Sequence, residues 1–235
     1  VIAPEGAYVV IDDIEVQYGL VEDGYLLYGS ENNLSLNISN IGSDAANNLN
    51  VMLTADSEYV TILENSVNYS NIAPNQSVSI DGLAIQPDWN TPDGEVVNLT
   101  FMISSDDASW ESNVSLVVQA PMIDLNGVSG SLNPDEMTDL VISLSNNGSA
   151  PINYPMVSAE GDMYVSVNSA GINNAYYWDY LQASNQEDLN INVTVNASAP
   201  IGHVAELTVY VNNLNGGLDI SFPVYVTVGQ VTEGF

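Results

Sequence analysis

Apolar and polar residues alternate along most of this chain. In "LSLNISN" (34–40), Leu34, Leu36 and Ile38 fall on one side and Ser35, Asn37 and Ser39 on the other. In "LNINVTVNAS" (189–198), Leu189, Ile191, Val193 and Val195 oppose Asn190, Asn192, Thr194 and Asn196. A period of two is the mark of a β-strand with one buried face. "LNVMLTA" (49–55) is more fully apolar, with Leu49, Leu53 and either Val51 or Met52 directed inward. Between these runs lie turn clusters such as "IAPNQSVS", "QPDWNTPDG", "LNPDEMT" and "NNGSAPIN". No stretch of ten or more residues carries a helical stripe. The nearest is "NNAYYWDYLQAS" (173–184), which reads as one helical turn or as an aromatic strand.

The pattern occurs twice. "LSLNISNIGS" begins at Leu34 and "LVISLSNNGS" at Leu140, 106 residues later; "GEVVNLTFMI" begins at Gly94 and "GHVAELTVYV" at Gly202, 108 later. A near-constant offset means that the elements keep their order and spacing. A repeat of about 107 residues is too long for a solenoid unit and suits an immunoglobulin-like sandwich. The expected architecture is all-β, with two tandem Ig-like β-sandwich domains over 1–120 and 121–235. Pro121, which cannot donate to a ladder, marks the junction. Leu36 is expected to match Ile142, and Thr100 to match Thr208.

A turn of the form Asn133-Pro134-Asp135-Glu136, then an alternating strand ending in Asn-x-Gly, then "API", resembles the CARDB-like and other Ig-like adhesion-type domains of bacterial and archaeal surface proteins. The family's turn is often Asn-Pro-Gly-Glu, and the first half has only "YGSE" (28–31) at that place. The tail "VGQVTEGF" is similar to the strand that ends such modules behind gingipain-like secreted proteases. The resemblance implies a non-catalytic spacer within a longer secreted polypeptide.

Charge sharpens this picture. The 235 residues include 30 Asp plus Glu, an ordinary share, but no Lys and no Arg, for a net charge of −30. The chain is depleted of base, not enriched in acid. Halophilic adaptation raises the acids instead, so selection against the basic residues themselves is the favoured cause, with lineage drift as the alternative. Trypsin-like proteases cut after Lys or Arg. The chain is therefore expected to survive pure trypsin even when unfolded, while chymotrypsin cuts it once unfolded; both are checked by electrophoresis.

The same depletion argues against several partners. Nucleic-acid binding needs cations to displace counterions from phosphate, and an anionic membrane repels this chain. Lys–Asn isopeptide cross-links have no lysine to form from. With no Cys there is no disulfide, thiolate metal site or thiol nucleophile. No apolar run reaches membrane-spanning length. "VIAPEGAYVV" lacks a basic n-region, so any export signal is expected to have been removed.

Candidate sites are few. His203, the single histidine, has no nucleophile motif around it, and no catalytic residue is expected. Ca²⁺ wants six to eight hard oxygens; Asp135, Glu136 and Asp139 in one loop, and Asp106 and Asp107 in another, are the candidate ligands, with a plain solvated turn as the competing reading. No other cofactor is expected. Asparagine is abundant, 29 residues, and N-x-[ST] sequons fall at Asn33, Asn37, Asn68, Asn75, Asn98, Asn113, Asn147, Asn192 and Asn196. These are glycosylation candidates, although an Asn- and Ser-rich surface also makes sequons by accident. Tyr176, Tyr177, Trp178 and Tyr180 offer an aromatic platform for a sugar ring, or a loop packed on the sandwich end.

The function expected from all this is an extracellular structural or adhesion protein: a stalk segment, or a surface-filament subunit that joins copies of itself end to end through terminal strands, "AYVVIDDIEV" (7–16) and "FPVYVTVGQV" (222–231). A glycan- or calcium-binding module and the tail of a secreted protease are the alternatives.

Overall fold

The structure, a computed structural model, describes residues 3–18, 21–172, 180–213 and 217–232. The chain divides into two compact units, Val1–Gln119 and Ala120–Phe235. Among the described residues all regular structure is strand.

The first unit contains β1 (Val9–Tyr18), β2 (Val21–Asp23), β3 (Leu26–Leu27), β4 (Asn32–Asn40), β5 (Ala46–Asp56), β6 (Val60–Glu64), β7 (Ser66–Ile72), β8 (Gln76–Pro87), β9 (Val96–Ser104) and β10 (Ser109–Gln119). They form two sheets, in the orders β2-β1-β4-β8-β6 and β3-β10-β9-β5-β7. The inward residues follow the alternation of the sequence. Leu34, Leu36, Ile38 and Ile80 from one sheet meet Leu49, Val51, Leu53, Leu99, Phe101 and Ile103 from the other, all of them buried. Met52 is the outward residue of its strand, opposite Met102. Sheets related this way, each burying one face, make a sandwich.

The second unit contains β11 (Ile123–Ser131), β12 (Met137–Asn146), β13 (Ile152–Asn153), β14 (Pro155–Glu160), β15 (Val165–Ile172), β16 (Tyr180–Leu181), β17 (Gln186–Val195), β18 (Val204–Asn213), β19 (Asp219–Thr227) and β20 (Val231–Thr232). Its sheets run β15-β17-β12-β11-β20 and β14-β18-β19, with β13 and β16 as a small separate pair. Its core is built from Leu140, Ile142, Leu144, Leu189, Ile191, Val193, Leu207, Val209 and Val224, among others.

The two strand orders correspond. Leu36 pairs with Ile14 and Ile80; Ile142 pairs with Val128 and Leu189. Thr100 lies between Thr54 and Asn113, and Thr208 between Glu160 and Pro223. Irregularities repeat as well. β1 is bulged between Ile11 and Asp13, and β11 between Leu125 and Gly127, each opposite the same station of the neighbouring strand. The bulge residue is held from that strand both times: Ser39 donates to Asp12, and the Ser145 hydroxyl to Asn126 Oδ1 at 3.2 Å. The amides of Gly94 and Gly202 close equivalent turns by donating to the Val118 and Val228 carbonyls, each at 2.9 Å.

The units differ where the sequence repeat is weakest. Val9 pairs with Asn40 and Ile123 with Asn146. Position 123 follows 9 by 114, but 146 follows 40 by 106, so the first unit spends eight more residues joining its first two long strands. There the short turn at Asn133–Glu136 is replaced by β2, β3 and a loop locked by Asn32. The fully buried Asn32 side chain accepts from the Leu27 amide and donates to the Leu27 and Ser30 carbonyls. Tyr28 packs edge-on against Trp89, centroids 5.5 Å apart, and burial pushes its phenol up to about 12. Gly29 sits under the same indole at φ +61°, where a Cβ would collide with the ring.

Candidate functional site

The most specific arrangement in each unit is the Asn-x-Gly-Ser segment. Asn40 and Asn146 end β4 and β12 in the inward register, and both are completely buried. A buried amide has two donors and a carbonyl to satisfy. Asn146 Nδ2 donates to the carbonyls of Ala150 (2.8 Å) and Leu181 (3.1 Å), while its Oδ1 accepts from the amides of Gly148 and Met122, both at 3.1 Å. Asn40 does the same, donating to Asp44 and Ile72 and accepting from Gly42 and Tyr8 at 2.8–3.1 Å. One side chain thereby ties the strand end, its own turn, the entering chain and a strand outside its own sheet. The repeated motif is a structural knot.

A second corner repeats in geometry but not in charge. In the first unit, the Ser57 hydroxyl accepts from the Tyr59 amide and lies 3.5 Å from Glu95 Oε1. In the second, Asp162 takes the serine's place. Its carboxylate accepts from the amides of Tyr164 (2.8 Å) and Val165 (3.0 Å), and Oδ2 is 2.6 Å from His203 Nε2. His203 takes the station of Glu95 and meets the Tyr164 ring edge-on at 4.8 Å. Burial alone would push the Asp162 carboxyl up. The His203 hydrogen bond, the two amides and the His203 charge outweigh it and hold the group below its ordinary value. A lowered acid stabilises the fold above its unfolded value of about 3.9 and loses that contribution as pH falls through the folded value. Both side chains are half-buried, His203 at 25% exposure and Asp162 at 20%, so Asp162→Asn, which weakens bonds to a charged acceptor, is expected to cost about 1–2 kcal/mol at pH 6. The cost should shrink progressively as pH falls below that unfolded value, as read by urea unfolding at pH 6 and at a series of acid pH values.

The candidate calcium ligands do not converge: among the described residues no three acidic or histidine side chains gather around one point. Asp135 and Glu136 occupy the turn before β12; Asp135 has φ +65°, and Glu136 accepts from Asn133 Nδ2 at 2.8 Å. Asp139 is on β12 itself, accepting from Asn192 Nδ2 at 2.6 Å. Asp106 accepts from Asn48 at 2.8 Å, beside the exposed Asp107.

All nine sequon asparagines lie at the surface. Asn33, Asn68, Asn75, Asn98, Asn113, Asn147 and Asn196 are exposed, and Asn37 and Asn192 half-buried. Several belong to ladders of amides and hydroxyls across the outer sheet faces: Asn50 to Asn68, Thr100 to Asn113, Ser115 to Asn98, and Asn168 to Asn192. Tyr176, Tyr177 and Trp178 lie outside the described residues, and of Tyr180 only the backbone is described, in β16. The described residues include two shallow depressions. One of about 290 Å³ lies over the β11 bulge, between Asn126, Ser129, Ser143, Gln186 and Asp188. The other, of about 310 Å³, lies where β1 meets β10, between Tyr8, Ile11, Trp110 and Glu111.

The terminal strands of the two units have one-sided partners. Among the described residues, β1 pairs with β4 along its length and with β2 only at Val16–Tyr18. β19 pairs with β18 alone.

No protein-family model and no curated protein matches the chain. Solved structures similar to it include domains 4 and 5 of the S-layer protein SbsC, with 11% identity over 93% of this chain and 99% of that one and a TM-score of 0.32. A protein of unknown function from Porphyromonas gingivalis W83 has 13% identity over 94% and 99%, with a TM-score of 0.27. A chimeric titin Z1Z2 tandem has 12% identity over 98% and 100%, with a TM-score of 0.28. The all-β sandwich assignment rests on the strand pairing of this chain itself.

Proposed function

We propose that the chain is a non-catalytic structural segment of an extracellular surface polymer, a stalk or filament made of Ig-like sandwiches of the adhesion type. The observation that supports it is the repeated knot. Each unit buries an asparagine that ties strand ends together, and the outer faces carry amides and hydroxyls bonded to each other and to carboxylates. That is the composition of a rigid, soluble spacer. The surface sequons are then glycan attachment sites, and the missing Lys and Arg protect the exposed polymer from trypsin-like proteases.

In this reading copies join end to end, a terminal strand of one adding to the open edge of β1 or β19 in the next. The bulge at Asp12 and Pro223 in β19 each interrupt an edge, so the join uses the flanking runs and not whole strands. At −30 per copy the approach is repulsive, and screening is required. Electron microscopy and light scattering at high protein concentration are expected to show linear assemblies in about 0.5 M salt with Ca²⁺, and their loss in dilute buffer with a chelator. Monomers alone in the first condition would overturn the filament and leave the isolated spacer.

A further inference from the structure

Methionine is ordinarily among the most buried side chains. This chain has six, and none is in a core. Met52, Met102, Met122, Met137, Met156 and Met163 are all exposed, from 41% for Met102 to 81% for Met163. Among the described residues the cores are filled instead by Leu, Ile, Val and Ala, with one Phe and one Tyr. Met52 and Met102 stand directly opposite each other on the outer face of the β5–β9 pair, among asparagines and threonines that gain nothing from an apolar neighbour.

We propose that these six thioethers are an oxidant-consuming surface, a set of sulfoxidation sites for hypohalous acids and peroxides. The chemistry is a two-electron oxidation of sulfur. A sulfur lone pair takes the chlorine of hypochlorous acid as the O–Cl bond breaks and hydroxide leaves; solvent water then displaces chloride from the chlorosulfonium and loses its protons, so the sulfur becomes a sulfoxide and the net products are chloride and one proton. With peroxide the O–O bond breaks and water leaves. No reactant other than solvent water is required. The side chains that compete fastest for such oxidants are thiols, and side-chain amines also react; the chain has no Cys and no Lys. Oxidant therefore reaches methionine before the slower Trp, Tyr and His.

Placement decides the consequence. A sulfoxide is polar and chiral, and it disrupts a packed core. At these six positions it meets water instead, so the sandwich survives its own oxidation. Adding hypochlorous acid stepwise to the folded protein at neutral pH tests this by mass spectrometry and thermal unfolding. The expected result is stepwise gain of up to six oxygens, all on methionine, before any Trp or Tyr is modified, with the unfolding midpoint moved by less than about 3 °C. In a variant with all six changed to Leu, damage to Trp and Tyr is expected from the first equivalents. Trp or Tyr modification in the unaltered protein while thioethers remain, or loss of cooperative unfolding in the six-sulfoxide form, would overturn the proposal.

Discussion

Asn146→Ala is expected to lower the unfolding free energy by about 4 kcal/mol, and Asn40→Ala by a similar amount. Each change removes four hydrogen bonds and leaves two carbonyls and two amides without their partner at a site closed to solvent. A buried polar group left unsatisfied costs about 1–3 kcal/mol; four of them, partly rescued by local relaxation, give the figure. Asn146→Asp should be no better, since a carboxylate cannot donate to Ala150 and Leu181. The neighbouring Asn147 is the control. Its exposed side chain donates to Asp124 at 2.7 Å, and its backbone amide, which donates to the Met122 carbonyl, is unchanged by the substitution, so Asn147→Ala should stay within about 0.5 kcal/mol. Urea titration reads both, with m unchanged if only the native contacts are lost. A cost below about 1 kcal/mol for Asn146→Ala would sink the knot.

That knot was partly legible in the sequence. Leu34, Leu36, Ile38 and Asn40 form one period-two series, as do Leu140, Ile142, Leu144 and Asn146. An asparagine closing an inward series twice, at the same offset, points to a satisfied buried amide. The Asn-x-Gly-Ser turn was readable; its four partners, up to 35 residues away, were not. Alternation also placed the inward faces, because burying one side of a strand is the strongest constraint on a sheet. The bulges at Asp12 and Asn126 left no local mark, since an extra residue disturbs the alternation only once. His203 and Asp162 are separated by 41 residues and joined only by the fold. The acidic loops show in the sequence which oxygen ligands are available, whereas their spacing in three dimensions is set by the fold.

The glycine of the knot should be as intolerant as its asparagine. A Cβ on Gly148 would fall inside the backbone of Ala120 and Met122; one on Gly42 would fall inside the backbone of Gly6 and Tyr8. Backing away is blocked by the turn's own bonding. Ser149 and Ala150 both donate to the Ala120 carbonyl, at 3.1 and 3.2 Å, and Ser43 and Asp44 both donate to the Gly6 carbonyl, at 2.8 and 3.2 Å. The carbonyl that a new methyl would strike is the one that holds the turn, so relief breaks two hydrogen bonds. Gly148→Ala and Gly42→Ala are each expected to cost about 3 kcal/mol, the upper range for overpacking. Two other glycines separate this cause from backbone strain. Gly94 has φ +80° and open space around its Cβ position, so Gly94→Ala should carry only the left-handed penalty of about 1–2 kcal/mol. Gly24 has open space and no positive φ, and Gly24→Ala should be close to neutral. If all four substitutions cost the same in urea unfolding, the close approach of Gly42 and Gly148 to the entering chain is not what the motif preserves.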